Sequence, residues 1–268
     1  MSRFFPILLL ILSLAGVHAA DLTEATFTQV VNNVTVASPA GKELRPAKVE
    51  TKFVTPQILR TGANSRAELT APDKTVTRVG ANTIFSFKPN SRTINLQKGS
   101  VLFNSPPGQG GGTIQTAAAT ASVLGTTIIV SFDPKVGCKL LVLEGTAKIM
   151  LPNGQSATVR AGQMIIIPNG ATSLPPVIGF LIDKTKKNAN LLSGFDDKLP
   201  SEDKILAAIR EQDRQLANGD LKIMQSGNDT FLIDPNTQQA YFIEQQKRHE
   251  ANQQPPPPPY IPPPINGI

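Results

Sequence analysis

The sequence has 268 residues, with 26 Lys+Arg against 20 Asp+Glu and a formal net charge of +6. The basic residues are spread along the chain without the clusters that neutralise consecutive phosphates, which argues against nucleic-acid binding. The single cysteine, Cys138, excludes an intramolecular disulfide, and the two histidines are too few to complete a zinc site of His and Cys ligands.

The N-terminal residues have the pattern of a secretory signal peptide. Arg3 is the only early charge, residues 4–12 are an unbroken apolar run, and small residues close the segment at Ala19 and Ala20. We predict residues 1–20 as signal peptide, with Ala20 or the next residue first in the mature chain; a retained N-terminal anchor is the alternative. The run is shorter than the ~20 apolar residues of a membrane span, and no later segment reaches that length. We therefore expect a periplasmic or secreted protein with no membrane span after signal removal.

Residues 21–172 are predicted to form one all-β domain. Short runs rich in Val, Ile and Thr alternate with polar residues and end at glycine, proline or asparagine, as strands do. The clearest runs are residues 84–87, 100–103, 127–130, 140–143 and 164–167. No helical periodicity interrupts this stretch.

Glycines recur at nearly regular intervals in the same region. Neighbouring glycines of the series are 17 to 20 residues apart, except for one interval of 26 residues; the series is Gly62, Gly80, Gly99, Gly125, Gly145 and Gly162. The long interval contains the Pro- and Gly-rich residues 106–112, which predict an extruded loop. Turns at a fixed spacing predict a short β-solenoid or β-roll, with a β-sandwich of tandem hairpins as the alternative.

The composition changes after Pro168. Residues 173–200 are predicted as a linker, since they contain a proline pair and a polar stretch with the basic residues 184–187. Residues 201–244 are predicted as a small appendage: one helix from Ser201 to Gly219, then a β-hairpin over residues 230–244. Residues 245–268 are predicted as a polar and Pro-rich disordered tail, which serves either as a spacer or as a docking segment.

The residues that could carry nucleophilic chemistry are few. His249 is the single histidine after the signal peptide and lies in the approach to the tail, so a catalytic triad would require the tail to fold back on the core. Cys138 is predicted to be an inert residue in a turn between strands. The acids of the β region are isolated from one another, namely Glu68, Asp73, Asp133 and Glu144, and two of them have the local sequence of turns.

Two further motifs give only weak signals. The acids Asp196, Asp197, Glu202 and Asp203 could attract calcium, but a helix N-terminus explains the last two better. The glycines at residues 110–112 lack the strand, loop and helix order of a phosphate-binding loop. We therefore predict no catalytic, cofactor-binding or metal-binding residue, and no cofactor.

Residues 58–163 resemble the periplasmic domain of the FecR family, regulators first defined in iron-dicitrate uptake. Residues 59–69, with the sequence LRTGANSRAEL, carry the first part of the resemblance, which continues to Gly99. Residues 116–127 are similar to the family signature that starts with Thr-Pro-x-Ala and ends with Val-x-Gly-Thr, although Ala117 replaces the usual proline. In the first part of the resemblance, Lys74 replaces a usual turn glycine. The resemblance implies an all-β, solenoid-like fold and a non-catalytic interaction domain, and it transfers no functional residue.

In signal-transducing members of that family, a cytoplasmic anti-sigma segment and a transmembrane helix precede this domain. We expect a cleaved signal peptide in their place, so sigma-factor control is not carried over. The sequence therefore predicts an exported, non-catalytic interaction or signalling module of a bacterial envelope, with an envelope protein or polymer as partner. A structural scaffold is the first alternative, and an unrecognised envelope hydrolase is the second.

Overall fold

The structure is a computed structural model that describes residues 20–39, 43–226 and 229–233. The strands are β1 Glu24–Val31, β2 Val34–Ala37, β3 Leu44–Pro46, β4 Lys52–Val54, β5 Ile58–Thr61, β6 Arg66–Thr70, β7 Val76–Val79, β8 Ile84–Phe87, β9 Thr93–Asn104, β10 Gly112–Gln115, β11 Thr120–Val123, β12 Thr127–Asp133, β13 Gly137–Glu144, β14 Thr146–Met150, β15 Ser156–Arg160, β16 Gln163–Pro168, β17 Ile178–Gly179, β18 Lys222–Ser226 and β19 Asp229–Ile233. The helices are α1 Ile182–Asn188, α2 Asn190–Ser193 and α3 Glu202–Asn218. The predicted all-β class is confirmed, since each regular element from β1 to β17 is a strand.

The strands form two layers that share β9. The covered sheet has the order β4-β1-β6-β7-β9-β12-β13-β16-β17-β19-β18. The open sheet has the order β3-β2-β5-β8-β9-β10-β11-β14-β15. The first half of β9 pairs within the open sheet and its second half within the covered sheet, so this strand bends from one layer to the other.

The chain passes between the two sheets in short steps and advances in one direction along both. The strand pairs are antiparallel except for β9 with β10, which is parallel. Successive coils of a solenoid would pair in parallel. The described strands therefore correspond to the alternative architecture, the sandwich of tandem hairpins, while they keep the solenoid's orderly progression along the chain.

The main core lies between the two sheets. Four phenylalanines near one end, Phe27, Phe53, Phe85 and Phe87, contact one another with ring centroids 5.1–6.2 Å apart. Toward the other end, branched aliphatic residues fill the space, as the period-two pattern predicts. This packing accounts for the stability of a domain without tryptophan or disulfides.

A second apolar layer covers the far face of the covered sheet. Along β12, Ile128 and Val130 belong to the main core, whereas Ile129 between them packs in the second layer. The second layer also contains Leu102, Leu141 and Leu143 from the sheet, together with Phe180, Ile182, Leu191, Leu199 and Ile205 from the chain that follows. The covered sheet is therefore buried on both faces, and the open sheet on one.

The chain after Pro168 is more structured than its composition predicts. Residues 173–200, predicted as a linker, contain β17, α1 and α2, and Ile182 and Leu191 are each 1% exposed. The linker prediction was wrong in this respect, because a few well-placed apolar residues suffice to attach a polar segment to a sheet. The helix predicted from Ser201 to Gly219 is α3, which ends at Gly219 with φ +79°. Within the described residues, no helix is long and apolar enough to cross a membrane.

The hairpin in this region differs from the predicted one. β19 includes the predicted first strand, but it pairs with the preceding β18. The predicted second strand at residues 240–243 and the tail at residues 245–268 lie outside the described residues.

Candidate interaction surface

The structure places Cys138 in the core rather than in a turn. It lies in β13, is 2% exposed and belongs to the cluster between the sheets. Burial raises the pKa of the Cys138 thiol to about 12, so the reactive thiolate is scarce at neutral pH. The predicted turn location was wrong because β13 begins one residue earlier, at Gly137. His249 lies outside the described residues.

The four isolated acids have separate surroundings, as predicted. Asp73 Oδ1 and Asp133 Oδ1 accept hydrogen bonds from the amides of Thr75 and Lys135 at 2.9 and 2.8 Å, which is the turn chemistry expected from their sequences. Glu68 and Glu144 face the second apolar layer and are described below. Within the described residues, no group of three or more His, Cys, Asp and Glu could hold a metal ion.

The acids near the start of α3 also contact protein groups. Asp196 Oδ2 accepts a hydrogen bond from Gln29 Nε2 at 2.5 Å, and Glu202 forms an ion pair with Lys186 at 2.9 Å. Asp197 contributes its backbone carbonyl, rather than its carboxylate, to Arg78. The contacts of Asp196 and Asp197 attach the helical segment to the covered sheet, and the Glu202 ion pair joins α3 to α1, so these acids do not converge on an ion site.

Arg78 is the central polar contact beneath the helical segment. It lies in β7, and its side chain is 1% exposed. Nε donates to Glu68 Oε2 at 2.7 Å, and the remaining nitrogens donate to the carbonyls of Leu191, Leu192 and Asp197. The guanidinium also lies 4.5 Å from the centre of the Phe195 ring, a cation–π contact.

A second polar cluster joins β9, β12 and β13 to the start of α3. Thr127 Oγ1 donates to Glu144 Oε1 at 2.7 Å, is hydrogen-bonded to Ser201 Oγ at 2.7 Å and accepts from Asn104 Nδ2 at 2.8 Å. Burial raises the pKa of Glu144, although Thr127 and the charge of Lys204 oppose the shift. Further along α3, Gln212 bonds to Phe180 O and to the amide of Ile182. The Thr127 cluster thus joins the C-terminal segment to the covered sheet, and the Gln212 contacts join α3 to the residues that precede α1.

The outer face of the open sheet, by contrast, is not covered by the described residues. Its side chains alternate with the core residues of each strand and include Asn95, Gln97, Gln115, Ser122, Thr146, Lys148, Met150, Ser156, Thr158 and Arg160, all exposed. Hydrogen bonding between Thr113 Oγ1 and Ser122 Oγ at 3.3 Å shows that neighbouring strands present their polar groups on the same side.

The charge distribution on the open sheet is one-sided. Its strands contain no Asp or Glu, whereas the strands of the covered sheet contain Glu24, Glu68, Asp133, Glu144 and Asp229. On the outer face, Lys148 and Arg160 lie on adjacent strands, since Lys148 pairs with Thr158 and Arg160 pairs with Thr146. This face thus offers hydroxyl and amide groups with two neighbouring cations, a combination that favours anionic, hydrogen-bonding partners.

Sequence reasoning did not identify this surface, although the signal was present. The alternation that predicts strands also assigns Thr, Ser, Asn and Gln to one side of them. What the sequence alone could not supply is the pairing that joins strands as distant as β10 and β14 into one face.

Fold and surface together define a two-sheet all-β domain with one face closed by its own C-terminal segment and the other exposed. Comparison with family models is more specific: residues 57–148 match the family described as FecR protein. The match covers about a third of the chain and extends from the start of β5 into β14. It confirms the resemblance found in the sequence.

Two solved structures match this chain. They are crystal structures at 2.50 and 1.65 Å of a protein from Parabacteroides distasonis ATCC 8503 described as a candidate anti-sigma factor. Each match has 15% sequence identity and a TM-score of 0.40, and covers 66% of this chain and 98% of the other. Among curated proteins, none matches the chain.

Proposed function

We propose that this protein is an exported, non-catalytic interaction or signalling module of a bacterial envelope. The observation that carries the proposal is the exposed outer face of the open sheet, whose strands lack acids, on a domain that matches the FecR family and whose opposite face is closed. Its partner is an envelope protein or polymer that presents anionic groups, since Lys148 and Arg160 are diagonal neighbours on adjacent strands of that face.

The proposal assigns no catalytic role to the residues that could carry one. Glu68 is paired with Arg78, Asp73 lies beside Arg92, and the Cys138 thiol is held protonated by burial. Glu68 and Cys138 are also buried, so neither side chain is exposed to a substrate as a nucleophile or proton donor. We therefore expect Cys138→Ala and His249→Ala variants to bind envelopes as the original chain does.

A sedimentation experiment tests the proposal. Purified protein is mixed with envelopes isolated from cells that lack it, and the bound fraction is measured against protein concentration and salt. We expect saturable binding that weakens as salt increases, because exposed charges are screened. Non-saturable binding, or none, would contradict the interaction function.

Two matched charge reversals show whether the open sheet is the binding face. Lys148→Glu in β14 should weaken the binding several-fold, because it places a negative charge where an anionic partner lies. Lys222→Glu, an exposed strand lysine in β18 of the covered sheet, should leave it unchanged. Equal effects of the two variants would mean that binding depends on net charge and not on this face.

A further inference from the structure

Six large apolar side chains are exposed among the residues that the structure describes, and two of them flank Lys148 on the open sheet. Leu124, which directly follows β11, is 73% exposed, and Met150, the last residue of β14, is 41% exposed. The others lie in β3, in β18 and in turns. Single exposed apolar residues are ordinary on a protein surface, but two beside the same cation are a feature of this face.

Backbone contacts fix the position of Leu124 relative to β14. Thr126 Oγ1 donates to the carbonyls of Leu124 and Thr146, at 3.3 and 3.1 Å, so Leu124 lies next to the start of β14. Lys148 and Met150 follow at alternate positions of that strand, whose intervening residues are buried. One apolar side chain thus lies on each side of the Lys148 position, and the strand from Thr146 to Met150 spans about 13 Å.

Hydroxyl groups and a second cation surround the same position. Ser122 and Thr158 lie directly opposite Lys148 on the two neighbouring strands, and Arg160 is its diagonal neighbour. All are exposed. Together they form a docking patch that consists of Ser122, Leu124, Lys148, Met150, Thr158 and Arg160.

The composition of the docking patch fits a protein better than a polysaccharide or a phosphate polymer. Methionine and arginine are enriched in protein interfaces, where apolar side chains lie beside polar ones. A polyanion would pair with the two cations but would leave the two apolar side chains without a partner. The patch also lacks an aromatic ring on which a sugar could stack, since Phe85, Phe87 and Phe103 of the open sheet's strands belong to the main core.

We infer that the docking patch binds a protein that presents an acidic side chain between two apolar ones. The acid lies against Lys148 and Arg160, and the apolar groups lie against Leu124 and Met150. This inference rests on the proposed interaction function and narrows the partner from an envelope protein or polymer to a protein. Binding then combines an ionic contact, which salt screens, with apolar contacts, which salt does not screen.

Protease treatment of the envelopes tests the class of partner. Envelopes from cells that lack this protein are digested with a broad-specificity protease, washed and used in the sedimentation experiment, with envelopes exposed to the inactivated protease as control. We expect digestion to reduce saturable binding at least tenfold. Unchanged binding to digested envelopes would mean that the partner is a polymer, which overturns the inference and leaves the proposed function intact. No binding to the control envelopes would overturn both.

Substitutions at the two apolar residues test the docking patch itself. Leu124→Gln and Met150→Gln should each weaken binding several-fold, also at about 1 M salt, where the Debye length is about 3 Å. Ile223→Gln, at a side chain 55% exposed in β18, is the matched control and should bind as the original chain does. All three positions are exposed, so the variants should keep the original unfolding temperature. Loss of all binding at about 1 M salt, unchanged binding by both patch variants, or equal weakening by Ile223→Gln would each overturn the inference.

Discussion

At the scale of single residues, Arg78 has the most demanding environment in the described chain. It is the largest fully buried side chain, and Glu68 is the carboxylate that balances its charge. Removing Arg78 leaves the Glu68 charge buried and the carbonyls of Leu191 and Asp197 without their donor. We expect Arg78→Met to lower the free energy of unfolding by roughly 3–5 kcal/mol, measured by chemical denaturation.

The exposed ion pair between Lys52 and Glu24 is the control. Its side chains are 61% and 37% exposed, and Lys52→Met should change the unfolding free energy by about 1 kcal/mol or less. Combining Arg78→Met with Glu68→Leu should recover only part of the loss, because the unpaired carbonyls remain. A small effect of Arg78→Met would mean that water replaces the guanidinium, contrary to its burial.

Glu144 makes stability depend on pH in a definite direction. Burial raises its pKa in the folded state above the ordinary value of 4.5, so the folded protein binds the proton more tightly than the unfolded chain. Stability is therefore lost as the pH rises from about 4.5 through the raised value. Glu144→Gln keeps an oxygen that can accept from Thr127 without the buried charge.

The Gln variant should thus be more stable than the original chain at about pH 7 and show no such advantage at about pH 4. Denaturation at the two pH values measures the difference. If the variant were less stable at the higher pH, the attraction between Glu144 and Lys204 would outweigh the cost of burial.

At the scale of elements, Gly99 allows β9 to cross from one sheet to the other. Its φ is +95°, and an added Cβ would lie 2.2 Å from Thr83 Oγ1 and 2.4 Å from Thr83 Cα. Gly99→Ala should cost roughly 3 kcal/mol or more, from left-handed strain and overpacking together. Gly154→Ala is the matched control, since its φ is +88° but nothing lies within 4 Å, and it should cost about 1–2 kcal/mol. Equal losses of unfolding free energy would show that contact with Thr83 is unimportant.

The glycine pattern also shows how far sequence carries a fold prediction. Gly99, Gly125, Gly145 and Gly162 have left-handed φ values, as the repeat predicts. Gly62 and Gly80 do not have left-handed φ values. Two residues after each of them, Asn64 and Asn82 adopt the left-handed conformation instead. Asparagine tolerates this conformation, so the repeat is a repeat of turns in which the special residue changes type.

The C-terminal layer could not be predicted in the same way. In α1, with the sequence IDKTKKN, Ile182 is the single apolar residue, so neither periodicity nor composition favours a packed helix. The contacts that fix the segment join residues more than 100 positions apart, such as Arg78 and the carbonyl of Leu191. The outer face of the open sheet was missed for the same reason, since it depends on which distant strands become neighbours.

At the scale of the whole molecule, the residues that match the FecR family form only the middle part of the folded unit. Residues 57–148 provide the middle strands of both sheets, while β1 to β4 and β15 to β19 extend them at the two ends. The far face of the covered sheet carries Leu102, Ile129 and Leu141, which are buried by residues beyond the match. We expect one cooperative unfolding transition for the described residues as a consequence.

Truncation tests this dependence on the C-terminal segment. A chain of residues 20–177 lacks β17, the three helices and the last hairpin, and so exposes the apolar far face, together with the buried ion pair of Arg78 and Glu68. Exposed apolar patches of this kind cause aggregation, so we expect this chain to be insoluble or to unfold at a much lower temperature. The control ends at residue 244 and removes only the Pro-rich tail, which we predict contributes no core, so its solubility and unfolding temperature should equal those of the mature chain. If residues 20–177 instead unfolded at the temperature of the mature chain, the C-terminal segment would be an independent appendage, as its linker-like sequence first suggests.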